Sequence, residues 1–127
     1  MAPVAAPEMD ARGKSFAVTQ GKANIYLYRN ENLGGAVAMK VSLNGKEAGA
    51  TGRATYFLWE VDPGIYQITS ESENTSNVRI VAEPGESYYV WQEVKWGLVV
   101  ARNALHVVDD ETGRRGVSEC ALVESKL

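Results

Sequence analysis

The chain has one histidine, His106, and one cysteine, Cys120, which limits the nucleophilic and metal chemistry open to it. A serine-type triad needs a nucleophile on a strained turn, a histidine and an orienting acid. His106 has Asp109 and Asp110 close by, but no G-x-S-x-G stands anywhere in the chain. Zinc sites draw on several Cys and His ligands, and only one of each is present. Asp109-Asp110-Glu111 lacks the alternating spacing and central glycine of a calcium loop, and helix capping accounts for it better. Glu60 and Glu93 each stand among aromatics. They read either as a carboxylate pair for glycoside hydrolysis or as acids on the polar face of a strand. Cys120 reads as a small buried apolar residue; the alternative is a thiol activated by Arg114 and Arg115. There is no P-loop and no G-x-G-x-x-G, and Leu33-Gly34-Gly35 reads as a flexible loop that would lie beside a ligand. No cofactor, no metal and no catalytic residue is expected.

The elements that must carry these residues are mainly strands. In Ala54–Ser70, "ATYFLWEVDPGIYQITS", Tyr56–Val61 places Phe57, Trp59 and Val61 on one face and Tyr56, Leu58 and Glu60 on the other. The first set is wholly apolar and is expected in the core. Pro63-Gly64 breaks the strand, since proline cannot donate to a ladder and glycine tolerates positive φ. Ile65–Ser70 then puts Tyr66 and Ile68 on one face, and the whole reads as a hairpin. Ala23–Arg29 and Val37–Leu43 are further strands, and Asn44-Gly45 signals a type I′ turn into a short edge strand, Lys46–Ala50. Glu71–Asn77 reads as a polar loop. Val78–Ala82, Ser87–Trp96, and a pair Leu98–Ala101 and Ala104–Val108 around Arg102-Asn103 complete the strands. Asp109–Glu124 begins with an aspartate cap and acidic first turn, and reads as a C-terminal helix across the sheet. Its stripe would be Val117, Cys120 and Ala121, weakened at Gly113 and Gly116 by roughly 1 kcal/mol each.

Met1–Lys14, with no periodic pattern, reads as part of a flexible tether over 1–15, ahead of a single domain at 16–127. It lacks a basic segment followed by an apolar core, so it does not read as a signal peptide. At 127 residues, 45% apolar and 23% charged, the chain is long enough for one packed core and is neither disordered nor membrane-embedded in composition. A formal charge of −3 with no basic run excludes the usual nucleic-acid binders. Asn74-Thr75-Ser76 fits a glycosylation acceptor, a tripeptide that arises often by chance.

The aromatic surplus is the most suggestive feature. Tyr26, Tyr28, Tyr89 and Trp91 fall on faces opposite the obvious core positions. Uncovered, they would form a face for proteins, peptides or glycans; otherwise a second sheet or the C-terminal helix covers them.

Four segments carry a resemblance in their order and spacing: "GKANIYLYRNENLGGAVAMKVSLNGKEAG", "YFLWEVDPGIYQITSESEN", "EPGESYYVWQEV" and "VVDDETGRRGVSEC". Together they resemble the bacterial family catalogued as domain of unknown function 2846, from Phe16 to Cys120, and the NGK and PGIY part is similar to PEGA-type envelope modules. The resemblance implies a mainly β fold, an antiparallel β-sandwich (Ig-like or prealbumin-like) of about seven to nine short strands with a short C-terminal helix. It implies an exported protein or lipoprotein of the Gram-negative envelope and no activity, and it carries no catalytic residues. The lipobox cysteine typical of such proteins is missing from this chain, so any membrane contact would run through an anchor absent from it. The expectation is a non-enzymatic envelope module, structural or protein-binding, with another envelope protein or peptide as partner and no nucleic acid. The second expectation is a small-ligand or glycan binder at Tyr26, Tyr28, Trp91 and the Leu33–Gly35 loop. A hydrolase using Glu60, Glu93 or His106 comes third.

Overall fold

In a computed structural model, the chain is described over residues 1–31, 37–96 and 101–127. The elements follow as α1 (Pro7–Gly13), β1 (Ala23–Arg29), β2 (Met39–Leu43), β3 (Lys46–Thr51), β4 (Thr55–Val61), β5 (Gly64–Glu71), β6 (Thr75–Ala82), β7 (Ser87–Trp96), β8 (Ala101–Val108), α2 (Asp110–Ser118) and β9 (Ala121–Leu122). They build a β-sandwich: a five-stranded sheet ordered β8-β7-β1-β4-β9 faces a four-stranded sheet ordered β3-β2-β5-β6. Most pairs are antiparallel, as expected; β1 with β7 and β4 with β9 are parallel. The Leu33–Gly35 loop and Leu98–Val100 lie outside the described residues.

The interior between the sheets holds Ile25, Leu27, Val41, Phe57, Trp59, Ile68, Ile80 and Val90, with Phe57 and Trp59 on the set expected inside from alternation. Asn44 and Gly45 both take positive φ, 49° and 80°, as the two-residue turn between β2 and β3 requires. The Pro63-Gly64 segment is a correction. Both strands form, but β4 pairs with β1 and β9, whereas β5 pairs with β2 and β6, so the segment is a corner between sheets and not a hairpin. The reason is packing: Phe57 and Trp59 of one sheet share a single buried cluster with Ile68 and Tyr66 of the other, which places the two sheets face to face. A second correction falls at Arg102-Asn103. No turn stands there; both residues lie within β8, because Asn103 is buried and bonded to Ser72 and Asn74 of the β5–β6 turn. The Asn74 side chain donates to the Asn103 carbonyl at 2.8 Å, so the amide of the glycosylation tripeptide is already engaged.

The helix start is where the cap predicts it, with Asp109 accepting from the Thr112 N–H at 2.7 Å. The helix ends at Ser118, short of Glu124, because Ala121–Leu122 joins the sheet beside β4. The segment 1–15, expected as a flexible tether, carries α1 with Pro7 in its first turn and bonds to the body. Ala2 N–H donates to the Ala50 carbonyl, Val4 bridges Val123, and Ala5 N–H donates to the Leu122 carbonyl. These contacts cover the edges of β3 and β9, whose ladder groups need partners.

Candidate functional site

The outer face of the five-stranded sheet is a second core. Tyr26, Tyr28, Tyr56 and Tyr89 lie there with Val117, Cys120 and Leu122 beneath α1 and α2. Tyr26 and Tyr89 stack with centroids 5.1 Å apart, and Phe16 tilts onto Tyr26 at 5.6 Å. The Tyr26 hydroxyl donates to the Gly13 carbonyl at 2.8 Å, and that of Tyr56 to Asp10 Oδ1 at 2.9 Å. Burial pushes the Tyr26 and Tyr28 phenols up to about 12. Helix and sheet approach this closely because α2 shows glycine to the rings, Gly113 to Tyr89 and Gly116 to Tyr28. The expected interaction face is therefore corrected: Tyr26, Tyr28 and Tyr89 are buried by the C-terminal helix, and only Trp91 is half-buried. Of the expected ligand site, Tyr26 and Tyr28 are covered, Trp91 is half-buried, and the Leu33–Gly35 loop lies outside the described residues.

Of the candidate acids and bases, the structure brings His106 and Glu93 together and leaves Glu60 apart. His106 Nε2 lies 2.9 Å from Glu93 Oε1, and the Trp91 ring sits 5.1 Å from the imidazole. Asp109 is spent on the helix cap and Asp110 pairs with Arg114 at 3.0 Å, so neither serves His106. Glu60 is level with Asn24, and Asn24 with Ser87. Glu93 stands six residues farther along β7, roughly 20 Å away along the strand direction. A glycosidase pair needs about 5–10 Å. Cys120 is buried, with Sγ 3.3 Å from the Gly116 carbonyl oxygen, and desolvation pushes its thiol up to about 12. That is the inert residue favoured from sequence.

A charged group that sequence reasoning missed is Arg29, wholly buried at the end of β1. Its Nε donates to Glu31 at 2.6 Å and its Nη1 to the carbonyls of Val37 and Thr51. Thr51 donates to Gln92 at 2.6 Å, and Gln92 donates to Ser70 at 2.7 Å, tying the two sheets across the interior.

One half of β4 is open. Along β4 the carbonyls of Ala54 and Tyr56 accept from Ala121 and Val123, so the even-numbered residues turn their backbone groups away from β1. β9 pairs only with Thr55 and Tyr56. Among the described residues, nothing pairs with the outward N–H and C=O groups of Leu58 and Glu60. Beside that stretch lies a cleft of about 350 Å³ between α1 and the segment leading to β1. Leu58, Leu122, Met9 and Val18 give it an apolar wall, while Arg12, Thr19, Asn24 and Glu60 supply polar groups. Thr19 Oγ1 donates to Glu60, and the Asn24 amide donates to the Ala17 carbonyl at 2.9 Å, which fixes the segment forming the far wall. Glu60, an exposed acid in a strand of aromatics, was the one sequence signal for this place.

A family described as "Protein of unknown function (DUF2846)" matches residues 19–105. The chain belongs to the DUF2846 family. It is also similar to an uncharacterized protein of Haemophilus influenzae, 27% identical over 125 residues, covering 97% of this chain and 74% of that protein. In this DUF2846 protein, the matched residues include the open stretch of β4, together with Thr19, Asn24 and Glu93. The rest of the cleft, Met9, Arg12, Gly13, Ala17, Val18 and Leu122, lies outside them.

Proposed function

We propose that this DUF2846 protein is a non-catalytic interaction module of the bacterial cell envelope, and that it engages another envelope protein or peptide along a strand edge. One observation carries the reading. Among the described residues the outward ladder groups of Leu58 and Glu60 have no partner, whereas the chain's own segments bond to the edges of β3 and β9 and to Asn103 and Leu105 of β8. An open strand edge beside a cleft is a surface for strand pairing. The non-catalytic part is supported by the separation of Glu60 from Glu93 and by the engagement of Asp109 and Asp110 elsewhere. The envelope part rests on the resemblance in sequence layout.

The test places a photo-crosslinking residue at Glu60 and, for comparison, at Ser118 on the exposed side of α2. Irradiation in Gram-negative envelope extract is expected to give a discrete adduct from position 60 and none from position 118. An adduct from neither position, or from 118 alone, removes the reading. Fractionation of cells expressing the natural gene should place the protein with the envelope; recovery with the cytosolic proteins overturns that assignment.

A further inference from the structure

We infer that the occupant of the β4 edge is an extended peptide segment, which adds to the five-stranded sheet past the end of β9 and seats one apolar side chain in the cleft beneath α1. This rests on the reading that a partner docks at this edge.

Backbone chemistry specifies the extended form. Leu58 and Glu60 each present a donor and an acceptor at strand spacing, and only another backbone in β conformation meets such a row. A helix keeps its amides for itself. β9 already fills the rungs at Thr55 and Tyr56, so the plane and spacing of the next rungs are set. Beyond β9 the chain turns toward β3, with Glu124 N–H bonded to the Pro3 carbonyl and Lys126 N–H to the Ala48 carbonyl; Ser125 Oγ accepts from the Trp59 indole N–H at 3.1 Å and makes no ladder bond to Leu58 or Glu60.

Side-chain alternation places the anchor. A residue of the added strand that points to the same face as Leu58 and Glu60 meets Met9, Val18 and Leu122, which select an aliphatic or aromatic side chain. The exposed Glu60 carboxylate at the rim favours a basic neighbour over an acidic one. The outer edge of β6 also lacks a strand, and the concavity near it is lined by Asn44, Ile65 and Gln67 together with Asn77, Val78 and Arg79 of β6, so a response confined to β6 is the competing outcome of the test.

The experiment is an NMR titration of the full chain with an acetylated, amidated heptapeptide. The peptide alternates threonine and valine, with a central phenylalanine and a terminal lysine. A second peptide carries N-methyl groups on alternate residues, which removes the ladder donors and keeps the side chains. Shifts are expected at the Leu58 and Glu60 amides, with binding weakened about tenfold or more by N-methylation. The same loss is expected from Met9→Arg, an exposed position whose new side chain fills the cleft without touching the core. No shift at Leu58 and Glu60 at about 1 mM peptide overturns the inference, as does equal binding of the N-methylated peptide or a response confined to β6. A successful crosslink from position 60 combined with indifference to N-methylation overturns the peptide occupant and leaves the docking edge standing. Failure of the crosslink removes both.

Discussion

Gly116 of α2 lies directly on the ring of Tyr28, with no room between them for a methyl group. The glycine that weakens the isolated helix is what lets the helix close over the sheet.

Replacing it separates two effects of opposite sign. Helix propensity alone makes Gly116→Ala stabilising by roughly 1 kcal/mol. Overpacking against Tyr28 costs about 1–3 kcal/mol, so the net expectation is a less stable protein. Urea unfolding of Gly116→Ala and Gly113→Ala, compared with alanine at exposed Ser118, reads the sign; a stabilised Gly116→Ala means the contact is not tight.

The tyrosine layer sets the alkaline limit. Burial raises the phenols of Tyr26 and Tyr28 to about 12, from an ordinary 10.0. The neutral form is thus favoured in the folded state. That contribution is complete below pH 10 and is lost as the pH rises through 12. An ultraviolet titration should show Tyr26, Tyr28, Tyr56 and Tyr89 ionising late, in one step with unfolding, and full ionisation near pH 10 with the fold intact would contradict the buried layer.

How much of this was legible in the sequence differs by residue. Ala23–Arg29 and Ser87–Trp96 were readable because alternation and β-branched or aromatic composition act locally. The neighbours of a strand are not local, and Pro63-Gly64 suits a corner between sheets as well as a hairpin. β1 is buried on both faces, and its apolar residues on either side, Ile25 and Leu27 against Tyr26 and Tyr28, were the signal that something covers the tyrosines. The spacing of Gly113 and Gly116 on one face of α2 was the matching signal of close approach. Arg29 carried none, because its burial depends on carbonyls from Val37 and Thr51. The β4 half-edge showed only through Glu60, since the open stretch itself exists because β9 stops at Leu122.

The polar bridge between the sheets should resist apolar replacement. Gln92→Leu takes the Gln92 amide from the buried hydroxyls of Thr51 and Ser70, leaving Thr51 only a long contact of 3.5 Å to the Met39 carbonyl, at a cost of about 1–3 kcal/mol each at most. A loss of about 2 kcal/mol or more in denaturant unfolding is expected, and an unchanged midpoint would mean that the bridge adds nothing.

Asp10 ties the lead-in helix to the sheet. Burial pushes its carboxyl up, but hydrogen bonds from Lys14, Tyr56 and the Leu122 N–H outweigh this and hold it below the ordinary 3.8. Its contribution is therefore present above 3.8 and is lost as the pH falls through the lower folded value. Asp10→Asn should destabilise by about 1 kcal/mol at neutral pH, with the gap to the parent closing in acid. A gap that persists at pH 2 would assign the effect to shape and not to charge.

Native Cys120 should react with a disulfide reagent only as fast as the protein opens, since its thiol is buried and raised to about 12. Rapid modification at neutral pH would contradict its place under α2.

The most direct test of the central claim, that β4 offers an open half-edge to an extended partner, is residue-resolved amide exchange with and without the phenylalanine heptapeptide. In the free protein the Leu58 and Glu60 amides should exchange fast while those of Phe57 and Trp59, which face β1, stay protected. Saturating peptide should slow Leu58 and Glu60 selectively. Protection of all four amides in the free protein, or no change at Leu58 and Glu60 when peptide is added, would contradict the account.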